Sequence, residues 1–299
     1  MEVREVTARE YGEYFGGRPH IYNSAAFNAL NSHKVRDVKY LFIGDGKTRF
    51  GIITGDGRSP FSAPFGGFDY NKEQGFEQID EAVAALKSYA HTPLRITLPP
   101  AFYDEDMVTM TASALLRQGR LLHADVNYHF VTADVADIDR VLDVSGKKNL
   151  RRGMECFDGD DGVFVVASDA DEAYEVIRRN RMEHGYPLRM SLEEVKKTIE
   201  LVPADFFVLT REGVNIAAAQ VFHVAGDIVQ VIYWGDLRAY SRLRPMNYLA
   251  YRIFNHYHDT GVRIVDVGPS SENGMPNYGL CKFKRSIGCR ASLKYTFSL

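Results

Sequence analysis

The second half of the chain alternates between two hydrophobic periods, and this alternation predicts a regular order of strands and helices. Runs rich in β-branched and aromatic residues at 205–210, 215–224 and 228–234 predict three strands, and the AGD turn after the second run predicts a hairpin. Around these runs, apolar residues recur with the 3.6-residue period of a helix. The predicted order is a strand at 163–167, helices at 171–184 and 191–201, the three strands, a helix from Pro245 that ends before Gly261, a strand at 263–268, a helix within 277–289 and a strand at 291–299.

A fainter copy of this order runs through the first half of the chain. Because the halves share an order of elements without evident sequence identity, we predict a duplication, with one domain at 1–134 and a second at 135–299. The expected class is α/β or α+β, in which helices flank a mixed, twisted sheet in each domain. The predicted elements of the first half are a strand at 3–7, a helix at 25–30, strands at 38–44 and 49–54, a loop at 59–70, a helix at 76–89, a strand at 94–98, a helix at 105–118 and a strand at 127–134.

Composition limits the kinds of protein that this chain can be. The 299 residues are 45% hydrophobic and 12% aromatic, which is enough for two packed cores. The net charge of −3 argues against nucleic-acid binding through overall charge and leaves only a local basic patch. Three cysteines without CxxC spacing favour a reducing compartment. Since no secretory leader and no apolar run of about 18 residues is visible, we expect a soluble cytoplasmic protein without membrane insertion.

The segment NYGLCKFKRSIGC, residues 277–289, places a lysine beside the apolar stripe of a predicted helix. At about 100° per residue, Lys284 lies at the edge of the stripe formed by Leu280, Phe283 and Ile287. Two interpretations follow. The lysine either buries its stem and keeps its ammonium in water, or it faces a site where negative charge develops during a reaction.

Three arginines, Arg238, Arg242 and Arg244, precede the helix that begins at Pro245. Positive charge at a helix N-terminus is unfavourable unless an anion binds there, so the cluster predicts a phosphate or carboxylate site. Pro245 supplies no N–H group to such an anion. The alternative is a loop of solvated arginines.

Polar residues also lie at the ends of predicted elements, where α/β folds place ligands. Ser270 follows a predicted strand, and Asn277 and Tyr278 precede the last helix. They are candidates for positioning an acceptor, with Tyr278 as a proton relay, and the alternative is ordinary turn and capping chemistry. Glu183 and His184 close another predicted helix, and each is a candidate general base or simply part of a helix end.

The loop PFSAPFGGFDY in the first half combines glycines with aromatic side chains. Gly66 and Gly67 permit a close approach of the backbone to a ligand, and Phe65 and Tyr70 can form an apolar wall beside it. A tight loop fixed by its own aromatic residues is the alternative.

Other chemistries have little support in the sequence. HExxH is absent and the nine histidines show no ligand spacing, so we expect no metal site. No Walker or dinucleotide glycine pattern follows a predicted strand, and GPSSENG does not match a nucleophile elbow. The oligomeric state stays open.

Three stretches resemble a known family. GLCKFKRSIG is similar to the Gly-Leu-x-x-Phe-Lys-x-x-Phe/Ile-Gly segment near the end of Fem-like (FemAB-type) transferases. RIVDVGPSS is similar to the strand and glycine-rich turn that precede this segment. KKNLRRGMECFDGDDGVFV is similar to the basic helix and strand that open their second domain. In the first half the resemblance rests on the order of elements and on the Pro-Phe-Gly-Gly loop. The family implies two tandem GNAT-like domains, transfer of an acyl or aminoacyl group to an amine, and a cleft between the domains where donor and acceptor meet.

The resemblance also implies a role for Lys284 and for the Pro-Phe-Gly-Gly loop, and the other roles come from the residue patterns described above. Lys284 matches the lysine that is associated with the developing oxyanion, and Tyr278 and Glu183 are further catalytic candidates. The residues assigned to the acceptor are Phe65, Gly66, Gly67, Tyr70, Ser270 and Asn277. Those assigned to the donor are Arg238, Arg242, Arg244, Asn247 and Trp234.

The sequence departs from the acyl-CoA-binding pattern at one place, and three functions stay open. GNAT enzymes usually carry Gln/Arg-x-x-Gly-x-Gly/Ala at the start of their third helix, whereas this chain has RLRPMN at 242–247, where Pro245 removes one phosphate donor. One function is an N-acyltransferase that uses acyl-CoA, acetyl-CoA included, and a small-molecule or peptide amine. Another is a non-catalytic ligand-binding module. The third is an aminoacyl-tRNA-dependent transferase acting on a peptide or cell-wall precursor, which requires a basic face around Lys147, Lys148, Arg151 and Arg152.

Overall fold

The computed structural model describes residues 1–16, 19–159, 162–167 and 170–299. The chain folds into two compact units: Met1–Asn127 with Ser271–Pro276 and Ser292–Leu299, and Tyr128–Ser270 with Asn277–Ala291. The division into domains 1–134 and 135–299 stays a prediction. Each predicted domain is one continuous stretch of sequence, whereas the first unit also includes two segments from near the C-terminus. Asp160 and Asp161 of the basic-helix motif lie outside the described residues.

The elements follow one another in the predicted alternation of strands and helices. Up to residue 131 they are β1 (Glu2–Val6), α1 (Ala8–Phe15), α2 (Ala25–Leu30), β2 (Val38–Gly44), β3 (Thr48–Gly55), β4 (Arg58–Ser59), β5 (Phe68–Tyr70), α3 (Phe76–Tyr89), β6 (Arg95–Thr97), α4 (Glu105–Gln118) and β7 (Arg120–Val131). Beyond it they are α5 (Ile138–Val141), α6 (Val144–Phe157), β8 (Gly162–Ala167), α7 (Asp171–His184), α8 (Leu192–Ile199), β9 (Ala204–Arg211), β10 (Val214–Ala225), β11 (Ile228–Asp236), α9 (Pro245–Asp259), β12 (Ile264–Pro269), β13 (Ser271–Glu272), β14 (Met275–Pro276), α10 (Tyr278–Ser286) and β15 (Arg290–Ser298).

The first unit is built on a mixed sheet with helices on both faces. Its strand order is β1-β2-β3-β4-β6-β15, and β5 also pairs with β3. Side chains alternate across β2: Leu41 and Ile43 pack with α3 and α4, whereas Tyr40 and Phe42 pack with α1. Both faces of this strand are therefore buried, which explains its nearly continuous apolar sequence.

The second unit has a sheet of order β12-β11-β10-β9-β8. Neighbours from β8 to β11 are antiparallel, and β11 and β12 are parallel. Phe206 and Ala218 pack on one face with Ile177 of α7. Phe207 points to the other face, where its ring lies 5.8 Å from that of Tyr257 in α9. The sheet is thus covered by α7 on one side and α9 on the other.

These observations confirm the mixed α/β class and most of the predicted elements. The helices at 76–89, 105–118 and 171–184 have the predicted bounds, and the predicted hairpin joins β10 to β11. The prediction was wrong in omitting α1 and in starting β7 at residue 127 instead of Arg120. The predicted loop at 59–70 also contains a short strand, β5.

Candidate functional site

A cleft opens in the second unit where β11 and β12 separate. The two strands pair at Ile228↔Ile264, Val229↔Val265 and Gln230↔Asp266. Beyond the last pair, residues 231–236 and 267–269 line a cleft of about 500 Å3. The end of α7, the start of α9 and one side of α10 supply the rest of its lining. The carboxyl ends of parallel strands are a common ligand site in α/β folds, so this cleft is the candidate functional site.

Lys284 is buried on the wall of this cleft, with only 3% of its surface exposed. Its Nζ donates hydrogen bonds to the carbonyl oxygens of Gly268 (2.8 Å) and Pro269 (2.9 Å). The interpretation of a lysine that keeps its ammonium in water is therefore wrong. The predicted burial of Leu280 is also wrong, because this residue is 40% exposed and faces the cleft.

The turn that receives Lys284 depends on a glycine and a buried carboxylate. Gly268 has φ +77°, a conformation in which side chains other than that of glycine are strained. Its N–H donates to Asp266 Oδ1 at 2.9 Å, and Asp266 Oδ2 accepts a 2.6 Å hydrogen bond from Gln230. Asp266 and Gln230 were not among the predicted site residues; their signal is a polar residue inside an otherwise apolar strand.

Of the residues predicted to bind a donor, the structure brings three to the cleft. Arg244, Asn247 and Trp234 line it, and the Trp234 ring meets that of Phe283 edge-on at 5.9 Å. Arg238 and Arg242 are exposed and do not line it. Their assignment to the donor stays a prediction without support from the cleft.

Neither Tyr278 nor Glu183, the other two catalytic candidates, lines the cleft. Tyr278 is 79% exposed. Glu183 is exposed and its Oε2 accepts a 2.8 Å hydrogen bond from the N–H group of Arg238. Its neighbour His184 does line the cleft, with its ring stacked 5.6 Å from that of Tyr186.

Ser270 and Asn277 shape the turn between β12 and α10. The N–H of Asn277 donates to the Ser270 carbonyl at 2.8 Å, and its Oδ1 accepts from Leu280 N at 3.1 Å as an N-cap. This geometry matches the capping alternative for Asn277. Ser270 is buried, and within the described parts of the chain its hydroxyl meets no hydrogen-bond partner.

The candidates from the PFSAPFGGFDY loop belong to the first unit. Phe65 is buried in an aromatic cluster, with the rings of His20 and Tyr103 at 4.9 and 4.6 Å, so it does not form an open wall. A Cβ on Gly66 would lie 2.8 Å from the Oγ of Ser59, and Gly67 has φ +101°. Both glycines are thus required by the loop itself. A role for them in binding an acceptor between two domains stays a prediction.

Tyr70, the last candidate in that loop, is tied to a neighbouring carboxylate. Its hydroxyl donates a short hydrogen bond to Asp104. Burial and this carboxylate raise the pKa of Tyr70 well above the ordinary value for a tyrosine. The Tyr70 hydroxyl is therefore harder to deprotonate than that of an ordinary tyrosine.

The cleft also contains residues that sequence reasoning missed, chiefly Arg181 and Asn180 at the end of α7. The Asn180 amide donates to the Asp236 carbonyl at 2.7 Å, and a Cβ on Gly235 would collide with it at 2.4 Å. Both residues continue the helical stripe that includes the buried Ile177. Polar residues at positions where the helical period predicts apolar ones were therefore the sequence signal for this part of the cleft.

Two features on which other protein classes depend were sought among the described residues. No helix there combines the length and the apolar character that a bilayer crossing requires. No group of three or more histidine, cysteine, aspartate or glutamate side chains in the same ranges is arranged to hold a metal ion.

Comparisons with known proteins show what this chain is similar to. Residues 144–285 match the family model of the GNAT acetyltransferase domain. Among solved structures, FemX aligns over 100% of this chain and 97% of its own, with TM-score 0.68 and 12% identity. L-PGS from Bacillus licheniformis aligns over 97% and 90%, with TM-score 0.59 and 14% identity. The C-terminal domain of a putative lysylphosphatidylglycerol synthetase from Agrobacterium fabrum aligns over 97% and 91%, with TM-score 0.59 and 13% identity.

At such identities these structures establish the fold alone, and among curated protein sequences no match is found. The family match covers the cleft, since every element that lines it lies within residues 144–285. The resemblance stated from the three motifs is confirmed. Residues 144–285 thus match the GNAT acetyltransferase domain model, and the chain as a whole has the same fold as FemX.

Proposed function

We propose that this protein is an N-acyltransferase that moves an acyl group from an activated donor to an amine in the cleft of the second unit. One observation carries the proposal: the Lys284 ammonium is buried at the cleft and fixed by the carbonyl groups of Gly268 and Pro269. A cation held in place away from water stabilises the charge that develops on a carbonyl oxygen during acyl transfer. The GNAT fold supports acyl transfer in general.

The proposed reaction forms a C–N bond and breaks the bond to the leaving group. The amine nitrogen attacks the acyl carbon, and the carbonyl oxygen becomes an oxyanion beside Lys284. When the oxyanion collapses, the leaving group departs and takes up the proton that the amine loses. His184 lies on the cleft wall and is the candidate for moving this proton, whereas Glu183 is not on that wall.

An acyl-CoA, with acetyl-CoA as the simplest case, is the proposed donor. Arg244 and Asn247 lie where α9 begins, at the cleft, so they are the proposed contacts to its phosphates. Replacing Arg244 with Ala should weaken acyl-CoA binding, and Arg242→Ala, on the same loop but off the cleft, is the matched control.

Binding and turnover together test the proposal. The chain has a single tryptophan, Trp234, and it lines the cleft, so its fluorescence reports donor binding directly. A true donor at 100 times its Kd should also stabilise the fold by about 2.7 kcal/mol. Turnover is followed as release of free thiol from acyl-CoA in the presence of a panel of amines. Lys284→Met should reduce it by about 10²–10³-fold.

Three results would separate the proposal from its alternatives. Binding without turnover for any amine would favour a non-catalytic ligand-binding module. No response to any acyl-CoA would remove acyl-CoA as the donor. Unchanged turnover in Lys284→Met would remove Lys284 from the mechanism.

A second candidate, aminoacyl-tRNA-dependent transfer, draws support from one face of α6. Within the described ranges, none of its four exposed basic side chains forms an ion pair, so the positive charge is uncompensated. If this face contacts four phosphates, log K should fall with log salt concentration with a slope of about 3. Replacing the four residues with glutamine should abolish the slope, and binding that ignores salt would refute this candidate. The four residues are Lys147, Lys148, Arg151 and Arg152.

A further inference from the structure

The cleft holds a second cation, Arg181, whose charge meets no oppositely charged partner in the part of the chain that the structure describes. Its Nε is buried without a hydrogen-bond acceptor, and no carboxylate among the described residues pairs with its guanidinium. Two aromatic rings lie against it: the centroids of Tyr233 and Tyr186 are 5.5 and 5.9 Å from Cζ. Burial of a guanidinium is unfavourable unless its donors are satisfied, so the arrangement indicates a ligand that satisfies them.

The surrounding structure fixes the end of the helix that carries this guanidinium. Asn180, its neighbour on α7, is anchored to the carbonyl of Asp236 at the end of β11. Gly235 permits this contact, since any side chain there would collide with the Asn180 amide. α7 ends immediately afterwards at Gly185, in the left-handed conformation that caps a helix. Arg181 is therefore presented to the cleft by a rigid element rather than by a loop.

The chemistry of the guanidinium identifies the class of ligand. Its planar fork donates two parallel hydrogen bonds, which matches a carboxylate or a phosphate. Tyr186 and Tyr233 flank it with aromatic rings, which attract a cation through their faces. Arg244, the proposed donor contact, immediately precedes α9, whereas Arg181 belongs to α7, so the two arginines of the cleft come from different elements.

We propose that Arg181 binds an oxyanion group carried by the acceptor, so the acceptor is an amine that also bears a carboxylate or a phosphate. Amino acids, peptides with a free C-terminus and phosphorylated amino alcohols fall in this class. The inference rests on the proposed acyl transfer and narrows its acceptor from amines in general to anionic amines.

Matched pairs of probes test the inference on the donor-free protein. Trp234 fluorescence is recorded during titration with glycine and glycinamide, with alanyl-alanine and its C-terminal amide, and with O-phosphoethanolamine and ethanolamine. At least one anionic probe should bind about tenfold or more tightly than its neutral partner. The identity of the pair that shows this difference tells whether the site prefers a carboxylate or a phosphate. Arg181→Gln should remove that preference, and Arg181→Lys should restore only part of it, because lysine lacks the fork.

Arg179→Gln is the matched control, since Arg179 is exposed on the same helix and should leave the preference intact. Far-UV circular dichroism confirms that each variant is folded. Equal binding of acid and amide, no response to any anionic probe, or an unchanged preference in Arg181→Gln would each overturn the inference.

Turnover separates failure of the inference from failure of the proposed function. If acyl transfer holds, Arg181→Gln should raise the KM for an anionic amine about tenfold or more, whereas Arg179→Gln should leave that KM unchanged. Turnover that does not distinguish acid from amide would refute the role of Arg181 while acyl transfer stands. Absence of turnover for every amine would instead refute acyl transfer.

Discussion

Replacing Lys284 with methionine tests the central structural feature without requiring knowledge of the substrate. Methionine retains most of the buried stem, so the substitution removes mainly the ammonium. Two carbonyl groups, those of Gly268 and Pro269, then lose a charged donor. Hydrogen bonds to charged groups contribute about 1.5–3 kcal/mol each, and two shared by one ammonium are not additive. We therefore expect the free energy of unfolding to fall by about 3 kcal/mol.

Urea denaturation measures this loss. With a slope of about 2 kcal/mol per molar urea, the unfolding midpoint of Lys284→Met should shift down by about 1.5 M. Fluorescence of Trp234 reports the unit concerned, because its ring contacts Phe283 on the helix that carries Lys284. Lys282→Met is the matched control: Lys282 is exposed on the same helix, and its loss should change stability by less than about 0.5 kcal/mol.

The result that refutes this reasoning is a Lys284→Met midpoint equal to that of Lys282→Met. Such a result would mean that the two carbonyl hydrogen bonds contribute nothing to folding. The ammonium would then not be held rigidly enough to stabilise an oxyanion by prior positioning.

Two further predictions concern the backbone beside the cleft and the pH dependence of stability. Gly268→Ala should cost about 1–2 kcal/mol in urea denaturation because φ at this position is +77°, whereas Gly226→Ala, where a Cβ would meet no atom within 4 Å, should cost less. Burial raises the pKa of Asp205, but hydrogen bonds with His223 and Tyr257 outweigh it, so the pKa of this carboxyl falls below its ordinary 3.8. The Asp205 carboxylate therefore stabilises the fold above pH 3.8, and this stabilisation is lost as the pH falls through the lower pKa of the folded state. Tyr257→Phe should reduce that loss, measured as the free energy of unfolding in denaturation curves recorded between about pH 5 and pH 2.

The sequence predictions are accurate where interactions between residues close in sequence determine the structure. α7 has the predicted bounds because its apolar stripe and its closing glycine are both local features. α1 was missed because it is short and charged, with only Tyr11 and Phe15 buried. A local signal was nevertheless present: Thr7 and Glu10 form a capping box, which is a sequence pattern for a helix start.

The environment of Lys284 could not be predicted from its own helix. A helical wheel places Lys284 at the edge of the apolar stripe. The stripe does not reveal which hydrogen-bond acceptors other parts of the chain bring to that position. The acceptors are main-chain carbonyl groups of Gly268 and Pro269, in a turn that a preceding strand delivers. The helical period singled out this lysine, the resemblance to a family favoured a functional role for it, and the structure supplies the physical reason for its burial.

The position of the cleft depends on one polar pair inside the sheet. Gln230 and Asp266 are the last residues paired between β11 and β12, and their side chains hydrogen-bond across the two strands at 2.6 Å. Both are buried, so separating them would leave polar groups unsatisfied, and this holds the strands together up to that point. Asp266 also fixes Gly268, which in turn accepts the hydrogen bond from Lys284. The vertex of the cleft and the position of its buried cation are therefore set by a single chain of hydrogen bonds, which explains why two polar residues stand in otherwise apolar strands.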